Sequence, residues 1–186
     1  MNTGQASELP ATGWLPAERL GQLRVDGQLR PWLIGKGLLT KRLKSVCGER
    51  FSLRVVYQFT GLLAADLQRG LGSADKAGLF RDVEMRCDER IWVYAQTVIP
   101  DATLTRHPWL GELGDAALGE TLSDLSGFER SSYEYAWLPA ADGLCTRALV
   151  HADIRPAGLW ARRSKMRLRG APLLVQELFL PSMGRL

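Results

Sequence analysis

The sequence predicts an α+β fold built on one antiparallel β-sheet. Runs rich in β-branched and aromatic residues recur along the chain, and turns of a few polar residues join several of them, as antiparallel neighbours require. The C-terminal segment reads as a hairpin: Ser164-Lys-Met-Arg-Leu-Arg, a Gly170-Ala-Pro turn, then Leu173-Leu-Val-Gln-Glu-Leu-Phe-Leu before Pro181. Segments that read as helices separate the strands, which places the chain in the α+β class.

Residues 1–15, rich in Gly, Pro, Thr and Ser, read as a loose arm. Leu29, Trp32, Leu33 and Leu38 predict a short helix that stops near Gly35 and Gly37, since glycine commonly ends helices. Strands are predicted from Phe51 to Phe59, Leu79 to Cys87 and Ile91 to Ile99, the last two joined by the polar turn Asp88-Glu89-Arg90. Residues 113–125 predict a helix, and Phe128 to Trp137 and Leu144 to Ile154 predict strands ahead of the final hairpin.

The 186 residues suit one domain, typically about 100–200 residues. The net charge of +4 is mild and favours small anions as much as nucleic acid. Cys47, Cys87 and Cys145 are far apart with no CxxC pair, so three buried thiols are expected rather than a disulfide framework. His107 and His151 offer no zinc-ligand spacing. The N-terminus lacks a basic start and an apolar run, and no segment reaches the ~20 apolar residues of a membrane span. A soluble cytoplasmic protein is expected.

Alternation along strands singles out two charges. Arg81 shares a parity with Val83, Met85 and Cys87, while Asp82, Glu84 and Arg86 occupy the other parity, expected to face water. Glu177 lies between Val175 and Phe179 in a strand apolar on both faces. A buried charge is costly unless it is paired or binds something. Arg81 and Glu177 therefore form either a structural ion pair or a pair of ligand-binding groups. In the basic run from Arg162 to Arg169, Lys165, Arg167 and Arg169 alternate with Ser164, Met166 and Leu168. A solvated strand face over a core looks like this. No aromatic stacking pattern accompanies it, and P-loop, GxGxxG and GxSxG motifs are absent.

The strings Gly158-Leu-Trp-Ala-Arg-Arg-Ser164 and Pro172-Leu-Leu-Val-Gln-Glu-Leu-Phe-Leu-Pro181, in this order across one hairpin, resemble the chorismate pyruvate-lyase family of ubiquinone biosynthesis. Trp32-Leu-Ile, Leu39-Thr-Lys-Arg42, Arg81-Asp-Val, Trp92, Thr97-Val-Ile-Pro100 and Leu118-Gly119 agree in register. The resemblance implies a monomer in which helical flaps cover an internal site on the antiparallel sheet. It implies conversion of chorismate to 4-hydroxybenzoate and pyruvate without a cofactor, a metal or a nucleic-acid partner. Carried over by motif, Arg81 and the backbone amides of Leu39 and Leu118 hold the product carboxylate, and Glu177 takes its hydroxyl. Where many members have another arginine this chain has Gln96, and Arg155 is the candidate for the substrate's second carboxylate. The alternative is a non-catalytic effector-sensing domain of the same fold. Regulators built that way carry an N-terminal helix-turn-helix of about 60–70 residues, for which the strand-rich segment before Arg81 leaves little room.

Overall fold

The computed structural model describes residues 13–22 and 25–183. An eight-stranded antiparallel sheet forms its centre, as predicted. The strands are β1 (Leu15–Pro16), β2 (Phe51–Leu62), β3 (Ala77–Cys87), β4 (Arg90–Pro100), β5 (Phe128–Arg130), β6 (Glu134–Pro139), β7 (Gly158–Leu168) and β8 (Ala171–Phe179). They lie in the order β1-β6-β7-β8-β4-β3-β2, with β5 also paired to β7. The two predicted hairpins, β3–β4 and β7–β8, are the middle of this sheet. Most of the expected arm lies outside the described residues; Leu15 and Pro16 pair with Tyr135 and Glu134 at the sheet edge.

Among the described residues six α-helices cover the two faces: α1 (Arg30–Ile34), α2 (Leu39–Cys47), α3 (Ala65–Leu71), α4 (Asp101–Arg106), α5 (Leu118–Ser123) and α6 (Gly143–Ala148). In α2 the buried residues Leu39, Leu43 and Cys47 recur every four positions, giving one apolar stripe against the sheet. Gly37 joins α1 to α2 at φ +85°, a left-handed conformation that side chains other than glycine resist. Among the described residues no helix is long and apolar enough to cross a membrane.

Four expectations need correcting. Residues 144–154 contain helix α6 rather than a strand, because the Asp142 side chain accepts hydrogen bonds from the Leu144 and Cys145 amides and so caps the first turn. The predicted strand Phe128–Trp137 is two strands, β5 and β6, interrupted where Ser131 pairs with the Lys165 backbone. Cys47 and Cys87 form a disulfide across 40 residues, since Phe51 pairs with Cys87 just beyond the end of α2. Cys145 remains a buried thiol.

The fourth correction concerns Asp82 and Glu84, which are 0% and 1% exposed instead of facing water. Asp82 accepts from Tyr94 (2.6 Å), Gln96 (2.8 Å) and Arg147 (3.0 Å). Glu84 pairs with Arg86 at 2.7 Å and His151 at 2.8 Å. Helix α6 and the chain after it bring Arg147 and His151 onto this face. The basic run divides similarly: Arg167 and Arg169 are exposed as expected, whereas Arg162 and Arg163 are buried.

Candidate functional site

The face of the sheet opposite Asp82 is set by register. Arg81 pairs with Thr97, which pairs with Val175. One step along, Val83 pairs with Ala95, Ala95 with Glu177, and Glu177 with Arg162. Direct cross-strand partners share a face, so Arg81 and Glu177, 96 positions apart in sequence, come to neighbouring rows of one surface. Helices α2 and α5 close over it. The cavity left between them measures about 40 Å³, and its wall includes Leu39, Arg81, Leu118, Arg130 and Glu177. More open concavities lie beside His151 and beneath Phe59.

Arg81 and Glu177 do not pair with each other. Arg81 donates from Nη2 to the carbonyls of Gly114 (2.7 Å) and Ala116 (3.0 Å), while its Nε is buried without a partner. Gly114 adopts φ +51°, which turns this loop toward the guanidinium. Burial pulls the Arg81 pKa below its ordinary value, and the charge of Asp115 works in the opposite direction. With only neutral carbonyls as partners, the cation still has capacity for an anion.

Glu177 accepts from Arg162 Nε at 2.5 Å. Arg162 is 0% exposed, donates from Nη1 to the carbonyls of Trp32, Leu33 and Gly35, and lies 4.3 Å from the Tyr133 ring centroid. Burial is the largest influence and would lower its pKa, but the charge and hydrogen bond of Glu177 together with Tyr133 and Tyr135 outweigh it, and the net shift is upward. Arg162 thus fixes the Glu177 carboxylate and, through the end of α1, the segment leading into α2. Sequence reasoning missed it, although Arg162 shares the inward parity of Ser164, Met166 and Leu168.

Leu39 and Leu118 are the first residues of α2 and α5, and neither helix has a side-chain cap. First-turn amides have no acceptor within their own helix, so both termini retain N–H groups at the cavity. Gln96 lies on the other face, donating to Asp82 at 2.8 Å. Arg155 is exposed and is not part of the cavity wall; the further cation the fold brings there is Arg130. Among the described residues no cluster of three or more His, Cys, Asp or Glu could hold a metal ion.

The chorismate lyase family model matches residues 9–184. A protein named probable chorismate pyruvate-lyase from Azoarcus sp. (strain BH72) is 39% identical over 164 residues, covering 84% of this chain and 86% of its own length. Its namesake from Nitrosospira multiformis is 32% identical over 185 residues, covering 98% and 97%. Among solved structures, the effector domain of PhnF from Mycobacterium smegmatis superposes with a TM-score of 0.55 at 18% identity, covering 78% of this chain and 90% of that one. The ligand-binding domain of a GntR-family regulator from Bordetella bronchiseptica gives 0.54 at 12% identity, covering 72% and 86%. These last two likenesses concern the fold alone.

Proposed function

The chain belongs to the chorismate lyase family, and from that premise we propose that it cleaves chorismate to 4-hydroxybenzoate and pyruvate inside the cavity of Arg81 and Glu177. Chorismate is a cyclohexadiene carrying a ring carboxylate, an enolpyruvyl ether and a neighbouring hydroxyl. The ether C–O bond breaks with its electron pair leaving on the enolpyruvate oxygen. The adjacent ring C–H bond supplies the electrons that complete the aromatic ring, and the released proton ends on the enolpyruvate methylene, giving pyruvate. Aromatisation drives the reaction, so the protein's work is to hold one conformer, exclude water and stabilise developing charge.

In this reading Arg81 and the Leu39 and Leu118 amides grip the ring carboxylate. Glu177, held by Arg162 at 2.5 Å, accepts a hydrogen bond from the ring hydroxyl. The observation that carries the proposal is the convergence of these four groups, distant in sequence, on one cavity wall, with Arg81 in no ion pair among the described residues. The protein acts as a cytoplasmic monomer supplying 4-hydroxybenzoate to ubiquinone synthesis.

Mixing purified protein with chorismate tests this: 4-hydroxybenzoate absorbance and pyruvate should rise together. Binding of chorismate without turnover would favour an effector-sensing domain. The product keeps both groups that Arg81 and Glu177 grip, and binding shared by substrate and product slows release. Inhibition by 4-hydroxybenzoate should therefore be strong and inhibition by pyruvate weak; a product inhibition constant well above KM would contradict these contacts.

A further inference from the structure

The proposed contacts leave one guanidinium of the cavity wall without a task. Arg130, the last residue of β5, sits opposite Met166 of β7. Its Nη1 donates to the Tyr133 hydroxyl at 2.9 Å, and its Nη2 lies 3.9 Å from the Met166 sulfur. Its Nε is buried with no hydrogen-bond partner. A phenol and a thioether are weak acceptors for a half-buried guanidinium. The neighbouring arginines are satisfied differently: Arg162 has Glu177, and Arg163 has Glu134 and Asp66.

Charge accounting sharpens the contrast. Arg162 already neutralises Glu177, whereas Arg81 and Arg130 form no ion pair among the described residues, the charge of Asp115 reaching Arg81 without a hydrogen bond. A monoanion would satisfy one of them, and a dianion satisfies both. Chorismate is a dianion, and 4-hydroxybenzoate carries one carboxylate.

We propose that Arg130 binds the enolpyruvyl carboxylate of chorismate, the role that Gln96 and Arg155 do not fill. This rests on the lyase reading and deepens it. Arg130 grips the half of the substrate that departs as pyruvate. It therefore contributes to capture of chorismate and to holding the leaving group while the ether breaks, and contributes nothing to retention of 4-hydroxybenzoate.

The test compares Arg130→Met, Arg130→Lys and Arg81→Met, measuring kcat/KM for chorismate by absorbance and Kd for 4-hydroxybenzoate by calorimetry. Arg130→Met should lower kcat/KM by about 10- to 100-fold, as loss of a charge-assisted hydrogen bond does, while changing the product Kd by less than about threefold. Arg130→Lys should recover part of the loss, and Arg81→Met should weaken both ligands. Parallel losses for substrate and product in Arg130→Met, or no loss in either, would overturn the assignment. If Arg130→Met does not fold, Arg130→Lys decides alone: a substrate defect without a product defect supports the role, and an unchanged ratio rejects it. Wild-type protein that binds chorismate without turnover would refute the lyase reading, and the same comparison then runs on the two Kd values. Wild type that binds neither ligand refutes both.

Discussion

Arg81 and Asp82 are consecutive residues of β3, equally buried, and they meet opposite fates. On Asp82's face the carboxylate has Tyr94, Gln96 and Arg147, and Gln176 extends the chain by donating to Gln96 at 3.1 Å. Glu84 is closed just as fully by Arg86 and His151. On Arg81's face the guanidinium finds two carbonyls and retains an unpartnered Nε, and Arg130 retains another. A buried charge closed by its own protein belongs to the fold. A buried charge left open marks where a ligand completes the network.

Paired substitutions on β3 can break that comparison, and they carry the largest expected effects. Arg81→Ala removes the carboxylate anchor and should cost at least about 100-fold in 4-hydroxybenzoate affinity, with only a small shift in Tm. Asp82→Ala strands Tyr94, Gln96 and Arg147, and should cost about 3–5 kcal/mol of stability while the folded fraction binds product normally. Calorimetry and thermal melts of both proteins decide it. If Arg81→Ala is the less stable variant and Asp82→Ala the weaker binder, the two faces have been read the wrong way round.

The comparison also explains what could be read in the sequence. Arg81 and Glu177 stood out because a charge on an apolar strand parity has an energetic cost wherever the strand lies. Arg162 satisfies the same criterion but was masked by its basic neighbours, which belong to a solvated face only from Arg167 onward. Asp82 and Glu84 sat on the polar parity, and their burial depends on α6, a helix hidden in a run that resembles a strand. The Cys47–Cys87 disulfide and the place of Arg130 depend on register between strands distant in sequence. Strand alternation shows which way a residue points within its own strand, and it leaves the cover above that face unstated.

A smaller effect sharpens the open side. If the Leu39 amide takes part in holding the carboxylate, Leu39→Met should be nearly silent, being a volume-conserving change. Leu39→Pro removes the N–H but suits the first turn of a helix, so α2 should persist. Product binding should weaken by about 1–3 kcal/mol, the cost of a lost hydrogen bond to a charged group. Titrating 4-hydroxybenzoate into both variants checks this, and equal mild effects would move the anion site away from α2.

The smallest effect belongs to the closed side and appears only in alkali. Cys145 is 0% exposed on the inner side of α6, and burial first, then the charge of Asp142, pushes its thiol up to about 11 from an ordinary 9.0. The folded state thus favours the neutral thiol. Below pH 9 the thiol is protonated in both states and its contribution to stability is fully present. Between pH 9 and 11 the unfolded chain loses this proton while the folded chain keeps it, so stability falls as pH rises. By pH 10 the loss attributable to Cys145 should be about 1.4 kcal/mol, one pH unit of linkage. Tyr94, raised chiefly by burial and also by Asp82, adds a decline of the same sign. Cys145→Ala keeps the site apolar and removes only the thiol's share. Urea unfolding of wild type and Cys145→Ala at pH 7.5, 8.5 and 10 should show a constant stability difference up to pH 8.5, then a shift of about 1.4 kcal/mol in the variant's favour at pH 10. The Kd for 4-hydroxybenzoate should not separate the two proteins at any of these values, because the thiol lies on the face away from the cavity. A stability difference that stays flat through pH 10 would mean that water reaches Cys145 and that this face is less closed than Asp82 and Glu84 make it.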